Sequence, residues 1–173
     1  MRRKHRGPHE KVIHLEKIVR AFPAGVFSAF RSSRALNHWY DPKARLSNFK
    51  VGGEVHADFF PGYQLTAIVN NQLIAQEFRT VIDGIGLWSF VKERGKTRLI
   101  FDHIAEGNKG EEMLARMFYW KGLIENLAAV SEGRQVPFVG GEYAGEKLPR
   151  SIHHKTCQDF QQAHRRKHKN SKS

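Results

Sequence analysis

From residue 45 to 105, apolar and polar positions alternate with a period close to two, the pattern of half-buried strands. Arg45–Lys50 leads into Val51-Gly52-Gly53, where the glycine pair marks a turn or bulge. Glu54–Phe60 sets Glu54, His56 and Asp58 against Val55, Ala57 and Phe59. Pro61-Gly62, Asn70-Asn71, Asp83-Gly84 and Arg94-Gly95 then punctuate strands at Tyr63–Val69, Leu73–Val81, Ile85–Glu93 and Lys96–Ala105. Short turns between consecutive strands imply antiparallel pairing. Residues 11–20 form a further strand with apolar side chains on both faces, which leaves its orientation open. It is followed by Ala21–Phe30, where Pro23 suits the first turn of a helix and Val26, Phe27 and Phe30 share one stripe. Ser32 or Ser33 caps a second short helix running through Trp39, and Asp41-Pro42 stops it.

The period changes at residue 111. Met113, Met117, Trp120, Ile124 and Leu127 recur at helical spacing, Leu114, Phe118, Leu123 and Val130 widen the stripe, and Gly133 closes the helix. A helix over 111–132 spans roughly 33 Å at 1.5 Å per residue, enough to cross a curved sheet and cover its concave face. The expected fold is therefore α+β: a curved antiparallel sheet of about six or seven strands around a long C-terminal helix, with two short helices after the first strand.

The last hairpin carries usable geometry. A two-residue Arg94-Gly95 turn pairs Glu93 with Lys96 and places Phe90 opposite Leu99, Trp88 opposite Phe101 and Gly86 opposite His103. Arg98 and Asp102 fall on the other face, so Trp88, Phe90, Leu99, Phe101 and His103 are expected to point inward. A slip of one residue would invert this arrangement.

Charge divides the chain. The net charge is +12, of which residues 1–6 carry +4, residues 7–133 carry +2 and residues 134–173 carry +6. The expected organisation is a basic N-terminal tail over 1–10, a nearly neutral domain over 11–133, and an irregular basic C-terminal tail over 134–173. Cys157 is the single cysteine, so no intramolecular disulfide forms. No apolar run reaches the ~18 residues of a membrane span, and the basic start is not followed by an apolar segment. These features lead us to expect a cytoplasmic location.

An ordered set of segments resembles one superfamily. Phe22–Phe30, Leu36-Asn37-His38-Trp39-Tyr40, Phe49–Glu54, Gly95–His103 and Trp120–Leu127 together cover about residues 11–132. They resemble the SRPBCC, or START-like, superfamily with its helix-grip fold, in the branch related to the activator of the heat-shock protein 90 ATPase. The resemblance implies a cavity between sheet and final helix. It does not imply one reaction, because the superfamily includes lipid carriers and aromatic cyclases.

The residues expected to line that cavity are Trp39, Phe49, Phe78, Trp88, Phe90, Phe101, His103, Met113, Met117, Trp120 and Ile124. Large apolar side chains with few polar groups suit a small-molecule site, and methionines let its wall adapt. The same residues equally suit a packed core. A neutral His103 can orient a ligand carbonyl, act as a base near pH 7, or be a hydrogen-bonded core histidine. Glu54, His56 and Asp58 form an acid/base set if their face looks inward and a solvated surface if it looks outward. In the tail, His153, His154, Cys157, His164 and His168 lack the paired spacing of a common zinc site, so no metal and no cofactor is expected. Arg165–Lys169 suits contact with phosphates or an acidic partner.

These readings favour a protein that binds a small hydrophobic ligand, lipid-like or aromatic. The alternatives are a cyclase- or dehydratase-type enzyme using His103 with a carboxylate such as Glu54 or Asp58, and a chaperone- or nucleic-acid-associated protein acting through its basic tails. Catalysis is the less favoured reading.

Overall fold

The computed structural model describes residues 11–80, 82–139 and 142–143. Its main sheet has seven antiparallel strands in the order β1-β7-β6-β5-β4-β3-β2. These are β1 (Val12–Val19), β2 (Arg45–Leu46), β3 (Glu54–His56), β4 (Tyr63–Val69), β5 (Leu73–Arg79), β6 (Asp83–Glu93) and β7 (Lys96–Ile104). Helices α1 (Pro23–Ser28) and α2 (Ser33–Asn37) join β1 to β2, and the long α3 (Gly110–Ser131) follows β7. A two-residue strand β8 (Phe138–Val139) pairs with β9 (Glu142–Tyr143). This is the helix-grip architecture expected from the sequence.

The β6–β7 register matches the expected one: Glu93 pairs with Lys96, Phe90 with Leu99, Trp88 with Phe101 and Gly86 with His103. Arg94 and Gly95 both adopt positive φ, as a type I′ turn requires. The open orientation of β1 is settled by its pairing with β7. Ile13 lies beside His103 and Leu15 beside Phe101, so the odd-numbered residues face inward. On this inner face Lys17 pairs with Glu125 of α3 at 2.9 Å.

Three expectations change. The strand expected over Glu54–Phe60 ends at His56, because the carboxylate of Asp41 accepts hydrogen bonds from the backbone N–H groups of Phe59 (2.6 Å) and Phe60 (3.0 Å). These bonds draw the chain out of the sheet, and the Tyr40 hydroxyl donates to the Pro61 carbonyl on the same loop. Asp83-Gly84, expected as a break, opens β6, with Gly84 at a φ of 96°. Finally, packing continues past residue 133. Phe138 is buried against α3, beyond the boundary that the charge pattern suggested.

Asn126 produces that last result. Its side chain accepts from Phe138 N at 2.9 Å and donates to the Phe138 carbonyl at 2.6 Å and the Trp39 carbonyl at 3.2 Å. A Cβ on Gly122 would lie 2.5 Å from the Phe138 ring, so only glycine lets the returning segment sit this close to the helix. The C-terminal half of α3 is thus covered on its outer side as well as its inner one, and the single apolar stripe understates its burial.

Candidate ligand-binding site

Three strands, two helices and the turns after α1 and α2 bring the inner aromatics together. Trp88 and Phe90 come from β6, Phe101 and His103 from β7, Phe78 from β5 and Trp120 from α3. Phe27 comes from α1, Phe30 follows it, and Trp39 follows α2. Phe30 joins these groups, with ring centroids 4.9 Å from Trp39, 5.3 Å from Trp88 and 5.8 Å from Phe90. Trp39 is held by its own indole N–H, which donates to the Ala29 carbonyl at 3.0 Å. Deeper in, Trp88 lies 4.3 Å from Phe101, and Phe101 lies 4.6 Å from Trp120. At these separations the rings touch and leave no space for a third molecule between them.

The eleven residues singled out from the sequence therefore assemble around one apolar cluster, in two groups. Trp39, Phe78, Trp88, Phe90, Phe101, His103, Trp120 and Ile124 are buried, whereas Phe49, Met113 and Met117 are half-buried at its margin. Phe49 packs edge-on against Phe27 at 5.6 Å, with the Arg31 guanidinium 5.8 Å above its ring. Leu114, expected to widen the helical stripe, is exposed at 59%.

His103 points inward and is fully buried. Both ring nitrogens are engaged. Nδ1 faces the Asn108 side-chain N–H at 3.2 Å, so the proton sits on Nε2, which donates to the Asp83 carbonyl at 2.9 Å. Burial lowers its pKa from the usual 6.5; the Asp83 carbonyl opposes this and the Arg116 charge adds to it. Arg116 completes the cluster by donating to the Asn108 side-chain oxygen at 3.0 Å and to the Asp83 carboxylate at 3.2 Å. A Cβ on Gly107 would fall 2.7 Å from this guanidinium, so a side chain there would displace Arg116 from its present position.

The acid/base pairing of His103 with Glu54 or Asp58 is not assembled. Glu54 and His56 lie on the outward, exposed face of β3, 3.5 Å apart, and Asp58 pairs with Lys43 at 3.5 Å. Strands β4, β5 and β6 separate β3 from β7, roughly 19 Å of sheet at the usual strand spacing. The period-two pattern identified a shared face correctly and left its direction undetermined.

Three buried polar residues of this region, Gln76, Asn108 and Arg116, were missed. Gln76 occupies the β5 position between Ile74 and Phe78, an interruption in an apolar face, and is fully buried. Its Oε1 accepts from the Trp88 indole N–H at 2.9 Å. Beside it, Gly86 provides room: a Cβ there would lie 2.8 Å from Phe78, 2.9 Å from Gln76 Oε1 and 3.2 Å from Phe101. The tail histidines, Cys157 and the Arg165–Lys169 run lie outside the described residues. Among the described residues no helix is long and apolar enough to cross a membrane.

The family model for activator of Hsp90 ATPase homolog 1-like protein matches residues 20–132. The chain belongs to that family. Solved structures place the family fold in a wider setting. The Aha1 dimer from Colwellia psychrerythraea is 15% identical with a TM-score of 0.62, covering 70% of this chain and 96% of that one. CalU16 from Micromonospora echinospora is 15% identical with a TM-score of 0.63, covering 89% and 86%. Mll3558 from Rhizobium loti is 24% identical with a TM-score of 0.58, covering 68% and 94%. Likeness at these identities establishes the fold of this activator-like chain. No curated protein matches the chain.

Proposed function

We propose that this activator-of-Hsp90-ATPase-like domain binds a small hydrophobic molecule between the inner face of its sheet and the N-terminal half of α3. The observation that carries the proposal is the change in packing along that helix. From Trp120 onward the wall is closed by touching rings and by Phe138. Before it, Met113 and Met117 stand half-buried against the core cluster, with Leu114 exposed beside them. Unbranched thioether side chains at the margin of an aromatic core can rearrange around a ligand with little strain. The buried rings then form the floor of the site, and the methionines its adjustable side.

A role for His103 as a general base has less support, because both of its nitrogens are already paired and the proposed carboxylate partners lie elsewhere. Titration with the dye N-phenyl-1-naphthylamine, followed by displacement with aromatic and acyl-chain competitors, tests the binding reading. Saturable fluorescence enhancement that weakens in Met117→Glu supports it. Absence of saturable binding, or equal binding by Met117→Glu, refutes it. Native mass spectrometry of freshly purified protein provides an independent check for a retained apolar molecule.

A further inference from the structure

Two buried donors beside the packed rings have no hydrogen-bond partner among the described residues: Gln76 Nε2 on the sheet and Trp120 Nε1 on the helix. The Gln76 orientation is fixed. An indole nitrogen only donates, so Trp88 must meet the amide oxygen, which leaves Nε2 as the free end. The Tyr63 hydroxyl also lies near this amide, close enough to offset in part the burial that raises the Tyr63 pKa, but Nε2 does not reach hydrogen-bond geometry. Gln76 and Trp120 flank the same platform. Gln76 and the Phe78 and Phe101 rings close over Gly86, and Trp120 packs on those two rings at 5.3 and 4.6 Å. Leaving a buried N–H unpaired is costly, so two of them on one platform call for an acceptor.

We infer that the ligand of this site carries a neutral hydrogen-bond acceptor, a carbonyl oxygen on an apolar skeleton, taken up by Gln76 Nε2 and Trp120 Nε1. The inference rests on the apolar-ligand reading above and adds a chemical class to it. A carbonyl oxygen offers two lone pairs to two donors. A carboxylate fits less well. Buried without a cation it pays a large desolvation cost, and the nearby buried cation, Arg116, is already engaged by Asp83 and Asn108.

A matched probe pair tests this. 1-Tetralone and tetralin share one carbon skeleton, and only the first carries a carbonyl. An apolar site without donors prefers tetralin, the less water-soluble of the two. The wild-type protein is expected to bind tetralone at least as tightly, with the Trp120 indole N–H resonance moving downfield for tetralone only. Gln76→Leu and Trp120→Phe are each expected to shift the affinity ratio toward tetralin by about tenfold, the worth of one hydrogen bond. If Gln76→Leu fails to fold, Gln76→Met keeps the side-chain length and replaces it. A wild-type preference for tetralin, or variants that keep the wild-type ratio, overturns the carbonyl assignment and leaves apolar binding intact. Binding of neither probe overturns both.

Discussion

The two halves of α3 lie over the same sheet but are held in different ways. The C-terminal half is enclosed: Leu123, Leu127 and Ala128 face the core, Asn126 and Gly122 hold Phe138 on the outside, and Gly133 at a φ of 69° lets Arg134 N close on the Ala129 carbonyl at 2.7 Å. The N-terminal half starts at Lys109, whose side chain makes no capping bond, and lays two half-buried methionines on the cluster. A polar anchor sits beside them: Arg116, tied through Asn108 to His103. Apolar enclosure gives rigidity that pH barely affects. A polar anchor beside loose side chains gives a wall that can yield.

The largest effect should come from opening the enclosed half. Phe138→Ala removes a buried ring and is expected to cost about 3–5 kcal/mol in urea unfolding. A loss below 1 kcal/mol would mean that the returning segment does not seal the helix. Asn126→Ala should cost about 1–3 kcal/mol, because the Phe138 N–H and carbonyl are left without their partner. Hydrogen exchange should then rise at Phe138 and around Trp120–Val130 rather than at Gly110–Met117.

Acid should act on the other half. His103 is kept neutral by burial, with a pKa below the 6.5 it has when unfolded. The unfolded chain then binds more protons below that value. The contribution of His103 is complete above pH 6.5 and is lost as pH falls toward its folded pKa. His14 has the opposite sign. Its hydrogen bond to Asp102, then that to Glu16, raise its pKa, so its contribution is complete below pH 6.5 and is lost as pH rises through the raised value. It is largely exposed, so solvent screens it. Comparing wild type with His103→Gln isolates the buried group. The difference in stability should shrink as pH falls below 6.5, with exchange rising first around Gly110–Met117. A pH-independent difference would show that His103 does not titrate in this way.

The smallest stability effect belongs to Met117→Ala, expected at about 1 kcal/mol because the side chain is only half-buried. Its effect on dye binding should be proportionally larger. The reverse order, a large loss of stability with unchanged binding, would place Met117 in the rigid core.

Much of this contrast was legible in the sequence. The Arg94-Gly95 turn set the register of Trp88, Phe90, Phe101 and His103, because a two-residue turn and a period of two leave few alternatives. The helical period located α3, but it could not show that Phe138 would return and bury the far side of that helix. That contact depends on Gly122 and Asn126, whose roles appear only once the chain has folded back. The outward turn of Glu54 and His56 was hidden for a related reason. Alternation defines two faces, and the direction of this strand is fixed by Asp41, distant in sequence, capturing Phe59 and Phe60. Gln76 left a faint signal, a polar residue between Ile74 and Phe78, that its bond to Trp88 makes meaningful.

The most direct test of the account uses the methionine methyl groups. The chain has three methionines, Met1, Met113 and Met117. In protein labelled at the methionine methyl carbon and titrated with 1-tetralone, the Met113 and Met117 resonances are expected to shift saturably while Met1 stays unchanged. Unchanged Met113 and Met117 resonances at saturating probe would contradict a ligand site under the N-terminal half of α3.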